Sequence, residues 1–184
     1  MASAGSHGGL FPQVSGGRTA AIAAILIAAL ALQSTVVAQV TLLGVIPQLV
    51  LIVVVSLAFT DGPRVGVVTA FAGGLLQDLL LPQAIVGLTA LVYVLIAYAV
   101  GSFREYSTTE SVWAPVFAVA LSSFLAEASY ALLAVILGQP WVSFVFTAKV
   151  IGLVVLYNTL LTPLLFPLIR RVADRFRPER VHRW

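Results

Sequence analysis

Gly73-Gly74-Leu75-Leu76-Gln77-Asp78-Leu79-Leu80-Leu81-Pro82 sets an amide and a carboxylate inside an apolar run that reads as a membrane helix. Counting back from Asp78 in steps of four reaches Gly74, Ala70 and Gly66, and residues four apart share one face of a helix. Within a bilayer, helices associate where small residues let backbones approach and where polar side chains find partners on a neighbour. The line Gly66, Ala70, Gly74, with Gly73 beside it, is therefore a helix-packing face that ends at an acid. An intramembrane acid is a functional-site candidate. Packing or anchoring is the equal alternative, because Asp78 lies just before Pro82, where the helix stops and water is near.

Working outward, the whole chain has the same character. Of its 184 residues, 60% are hydrophobic and 9% charged, and the mean hydropathy is +1.06, which is membrane-protein composition. A span takes about 20 apolar residues, so this length accommodates about six with short loops and no soluble domain beside them. There is no cysteine, which removes disulfides, thiolate metal sites and cysteine nucleophiles. The histidines, His7 and His182, fall in the tails, which excludes histidine-based metal binding or catalysis within the membrane. A pI near 9.7 raises nucleic acid as a partner, but the basic residues gather at loops and the C-terminus, as in membrane proteins.

Residues 1–17 read as a disordered polar tail, 18–169 as a six-helix transmembrane domain and 170–184 as a basic tail. The first apolar run, Thr19 to about Ala38, follows Arg18 and is too long for a typical cleaved signal peptide. Pro47 suits the start of a second helix that runs to about Thr60. Asp61-Gly62-Pro63-Arg64 is a turn that opens the third, which ends near Pro82. A fourth helix spans about Leu88 to Phe103. The fifth runs from Trp113 to Gly138-Gln139-Pro140, and the sixth from Trp141 to about Ile169, with Pro163 and Pro167 expected to kink its last turns.

With six spans, Arg18, Arg64, Arg104 and the C-terminal cluster Arg170, Arg171, Arg175, Arg177, Arg180 and Arg183 fall on one side. By the positive-inside rule both termini are cytoplasmic. The cluster reads either as an ordinary stop-transfer flank or as a membrane-surface segment that holds anionic lipid.

Inside the spans stand Gln77 and Asp78, Glu127, Lys149 and Asn158. At ~1.5 Å per residue, Asp78, Lys149 and Glu127 lie roughly 6, 12 and 15 Å below the outer surface. Isolated charges at such depth are costly, so Lys149 is expected to pair, with Glu127 by depth or else with Asp78. One carboxylate is then in excess. It is protonated by desolvation, bonded to Gln77 or Asn158, or facing an incoming positive group. No nucleophile elbow, zinc-binding His-Glu-x-x-His or phosphate-cradling loop occurs, and Ser122, Ser123 and Ser129 have no base to activate them. An enzyme and a cofactor are not expected.

Several ordered motifs resemble the rod shape-determining protein MreD family: Leu32-Gln33-Ser34-Thr35-Val36, Leu42-Leu43-Gly44-Val45-Ile46-Pro47-Gln48-Leu49, the Gly73–Leu79 run, and Gly87-Leu88-Thr89-Ala90-Leu91-Val92-Tyr93 with Tyr98 and Gly101. The likeness covers about the first 100 residues. Gln48 departs from it, since the family commonly has Asp or Asn after the proline. The resemblance implies a non-catalytic bacterial inner-membrane scaffold that binds MreC, a single-span protein with a periplasmic domain. It would act with a SEDS-family glycosyltransferase and a class B penicillin-binding transpeptidase in peptidoglycan synthesis and cell shape. It also implies a fold similar to the substrate-binding component of energy-coupling-factor transporters, six helices around an outward cavity that Gln77, Asp78, Glu127 and Lys149 would line or brace. A vitamin-like small-molecule binding subunit of such a transporter is the alternative reading.

Overall fold

The computed structural model describes residues 16–37, 44–81, 85–104, 113–138 and 143–176. These form an all-helical bundle: α1 (Gly16–Leu32), extended by a π-helical turn (Gln33–Val37), α2 (Leu49–Asp61), α3 (Pro63–Leu80), α4 (Leu88–Arg104), α5 (Ala114–Ile136) and α6 (Phe144–Arg175). Three stretches, Gly16–Thr35, Ala114–Ile136 and Phe144–Arg175, are long and apolar enough to cross a membrane, and α2 and α4 are shorter apolar helices. Proline and glycine punctuate the chain where expected. Pro63 and Pro115 stand in the first turns of α3 and α5, where a missing N–H costs nothing. Gly62, between α2 and α3, has φ +90°, a conformation that side chains with a Cβ avoid.

The central element is α2. It packs against all five other helices, and every residue from Val50 to Ala58 is buried. Its sequence, Leu-Val-Leu-Ile-Val-Val-Val-Ser-Leu-Ala, is apolar all round because each face meets protein. The other helices turn large apolar side chains outward, among them Val68, Phe71, Phe117, Phe144 and Leu164, the arrangement suited to lipid rather than water.

Helices α3 and α4 make the closest pair. A Cβ on Gly74 would stand 2.5 Å from the Ala90 Cα, and one on Gly101 would stand 2.5 Å from the Pro63 Cα, so the backbones touch near both ends. Gly66 lies against Ala58 and Ala97, Ala70 is fully buried, and Gly73 faces Leu26 and Val50.

One end of the bundle is ionic. Arg18, at the start of α1, bridges Asp61, at the end of α2, at 2.7 Å, with Asp61 1% exposed, and the Arg104 guanidinium lies beside Gly62. Helix α6 continues past Ile169 through Arg170, Arg171 and Arg175, held inward by Ile169 and Ala173. Its 32 residues take in Pro163 and Pro167 without a break. The basic cluster thus begins within a helix rather than as a separate tail, and Arg177, Arg180 and Arg183 lie outside the described residues, as do residues 1–15.

Candidate functional site: a polar layer at the mouth of α2

Helix lengths create the site. The 13 residues of α2 make a rod of about 20 Å, whereas a bilayer's hydrocarbon is about 30 Å thick. At the end opposite Arg18, α2 therefore starts within the bundle, and its first N–H groups, which no helix satisfies internally, are buried. Hydrocarbon offers them no acceptor, so side chains must.

Neighbouring helices supply them. Asn158 on α6 accepts the Gln48 N–H through Oδ1 at 2.9 Å, and its Nδ2 donates to Ser123 Oγ on α5 at 2.9 Å. Gln33, in the π turn after α1, accepts the Val50 N–H at 3.1 Å. The start of α4 is treated alike: Asp78 Oδ2 accepts the N–H groups of Gly87 and Thr89 at 2.8 and 3.1 Å. Gly87 has φ +93°, which turns its amide toward α3. A carboxylate at a helix N-terminus also meets the positive end of the helix dipole. Asp78 is 1% exposed, and this cap gives its burial a reason. Its other oxygen, Oδ1, is buried without a hydrogen-bond partner among the described residues.

Gln48 is the hub. Besides its backbone bond to Asn158, its Oε1 accepts the Tyr93 hydroxyl at 3.0 Å, and its Nε2 donates to the Glu127 carboxylate. One side chain thereby ties α4 to α5 at the start of α2. Above it opens a cavity of about 480 Å³ with Gln33, Gln48, Gln77 and Glu127 among apolar walls. A pocket of about 190 Å³ adjoins it, sharing Gln48, Gln77 and Glu127 and adding Tyr93 and Tyr130.

The residues singled out in the sequence separate here. Gln77 and Glu127 line the cavity. Asp78 and Asn158 are buried beneath and beside it as caps. Lys149 stands apart: it is exposed, is not among the cavity's lining, and Glu127 takes Gln48 in its place. The expected Glu127–Lys149 pair is not formed, and neither Gln77 nor Asn158 takes up the carboxylate. Val150, Val154 and Asn158 form the inward face of α6, and Lys149, one residue from Val150, is turned about 100° from it.

Gln33 and Tyr93 enter the sequence reading only within motifs, Gln48 only as a departure from one, and Ser123 only as a hydroxyl with no base to activate it. Glutamine right after a helix-opening proline is the signal that marks Gln48 as a helix-start residue. Among the described residues no group of three His, Cys, Asp or Glu is placed to hold a metal.

The sequence model of the family described as rod shape-determining protein MreD matches residues 18–172, a range that takes in all six helices up to the last residues of α6. No curated protein and no solved structure matches the chain.

Proposed function

The chain belongs to the rod shape-determining protein MreD family, and from that premise we propose that it is a non-catalytic scaffold of the bacterial cell-elongation machinery. Membership makes it a multi-pass membrane protein with a role in rod-shape determination. In the proposed role it sits in the inner membrane with both termini cytoplasmic and binds an MreC-like single-span protein. Through that partner it supports a SEDS-family glycosyltransferase and a class B penicillin-binding transpeptidase as they build peptidoglycan.

The observation that carries the proposal is a family match that runs through every helix rather than one motif. The chemistry of the polar layer favours it as well. Asp78, Asn158, Gln33 and Gln48 hold helix starts in place, which is the work of a rigid platform. The test is capture of the tagged chain from native membranes in mild detergent, with mass spectrometry of what is retained. Recovery of an MreC-like protein and wall synthases is the expected result. Recovery of a transporter ATPase would overturn the scaffold and favour a transporter's binding subunit, the second reading, for which the cavity of about 480 Å³ speaks.

A further inference from the structure

We propose that the cavity at the mouth of α2 is a binding site for an ammonium group carried on a short apolar body. The cavity presents acceptors. Gln77 is 9% exposed, and its Oε1 is buried with no hydrogen-bond partner among the described residues, although Gln77 lines both the cavity and the adjoining pocket. A buried amide oxygen left without a donor is uncommon in a packed protein and marks a place where a donor arrives. Glu127 faces the same space, and its one protein donor among the described residues is the Gln48 amide, which brings no positive charge.

Two of the donors that line the space are committed to other acceptors. The Gln48 amide is given to Glu127, and the Tyr93 hydroxyl is given to Gln48. The cation that depth alone would assign to Glu127, Lys149, is exposed on α6 and outside the lining of the cavity. A carboxylate and a free carbonyl oxygen without a cation between them attract a group that is positive and rich in N–H, and an ammonium has three such donors. Apart from Gln33 and Ser34, the rest of the lining, including Leu30, Ile46, Leu80 and Val154, is apolar and suits a hydrocarbon body. At about 480 Å³ the cavity is within the range of small-ligand sites. An anion is disfavoured by Glu127, and a purely apolar guest would leave Gln77 Oε1 without a donor. Two sources have this chemistry: a small amphipathic amine, and a basic side chain of a partner protein.

The site does not depend on the identity of any partner, so its test is separate from the capture experiment. The purified full chain in detergent is titrated with n-butylammonium, and separately with n-butanol and butyrate, while thermal unfolding is followed by tryptophan fluorescence. A saturable rise in Tm of a few degrees is expected with the amine and not with the alcohol or the acid. Glu127→Gln should abolish the rise, Gln77→Leu should weaken the apparent affinity about tenfold or more, and Lys149→Met should leave it unchanged. Gln77→Leu serves alone where Glu127→Gln does not fold. No rise with the amine, an equal rise with butanol or butyrate, or an undiminished rise in Gln77→Leu would overturn the proposal. Native mass spectrometry of the untreated chain identifies the source. A retained small mass that butylammonium displaces marks a free amine. An empty chain whose amine response disappears in the captured complex marks a partner's side chain.

Discussion

The side chain of Asn158 holds the backbone of Gln48 across 110 positions of sequence, Oδ1 to N–H at 2.9 Å. That bond joins the start of the central helix to the last helix, and with Ser123 it draws in α5. Asn158 is fully buried, so its partners lie where bulk solvent does not reach them. The polar residues of this bundle thus serve first as replacements for the water that a helix start would otherwise use.

Asn158→Leu should therefore destabilise more than loss of one contact. It leaves the Gln48 N–H and the Ser123 hydroxyl buried without their partners, at about 1–3 kcal/mol each. A Tm lower by about 5 °C or more is expected in detergent, and Ser123→Ala added to it should cost little further, since the bond it would break is already gone. Two full, additive losses would show that the residues act independently.

For Asp78 the expectation concerns α4. Asp78→Ala removes the acceptor of two N–H groups and should cost about 1–2 kcal/mol, as loss of a helix cap does. Asp78→Asn keeps an acceptor oxygen and should lose less. Hydrogen exchange should speed up at Gly87 and Thr89 in the alanine variant, with the middle of α4 still protected; unchanged exchange there would remove the capping role.

Glycines on α3 and α6 should respond in opposite ways. A Cβ at Gly74 would meet the Ala90 backbone at 2.5 Å, whereas one at Gly152 meets nothing within 4 Å. Gly74→Ala forces α3 and α4 apart, at about 1–3 kcal/mol. Gly152→Ala should be neutral, or stabilising by up to about 1 kcal/mol, through helix propensity. Comparison of folded yield and Tm for the two variants decides it.

The cysteine-free sequence allows a direct test of orientation. Ser143, before α6, and Phe176, after it, are both exposed and lie at opposite ends of a 32-residue helix. With the arginine-rich end cytoplasmic, a membrane-impermeant maleimide should label Ser143→Cys in intact spheroplasts, and Phe176→Cys only after permeabilisation. The reverse pattern would invert the topology.

Hydropathy and breakers made the helices legible. Gly62, Pro63 and Pro115 are visible in sequence, and the expected starts of α3, α4 and α5 fall within a residue of those in the structure. The four-residue line Gly66, Ala70, Gly74, Asp78 also lies along buried positions of α3. Partners were less legible, for a geometric reason. Counting residues gives depth along a helix, but each residue also turns the side chain by about 100°. Counting puts Glu127 and Lys149 at similar depth, yet Glu127 faces the cavity while Lys149 is exposed. The length of α2 carried the missing information: 13 residues are too few to cross, so a buried start and side-chain caps follow from it, and Gln33, Gln48 and Asn158 are nearby polar groups able to serve.

Double-mutant cycles on Glu127 test this rotational assignment directly. Glu127 receives the Gln48 amide, while Lys149 stands on an exposed face of α6. Glu127→Leu leaves that amide without its acceptor, and Gln48→Leu leaves the carboxylate without its donor, so either change alone is costly. Together they remove both sides of the bond, and the double variant should be more stable than the sum of the single losses predicts, by about 0.5–3 kcal/mol. The cycle of Glu127→Leu with Lys149→Met should instead be additive to within about 0.5 kcal/mol, because no bond joins the two. Both cycles read Tm or denaturant midpoints in one detergent. A strong coupling between Glu127 and Lys149, with none to Gln48, would restore the ion pair that depth alone suggests and displace Gln48 from the centre of the polar layer.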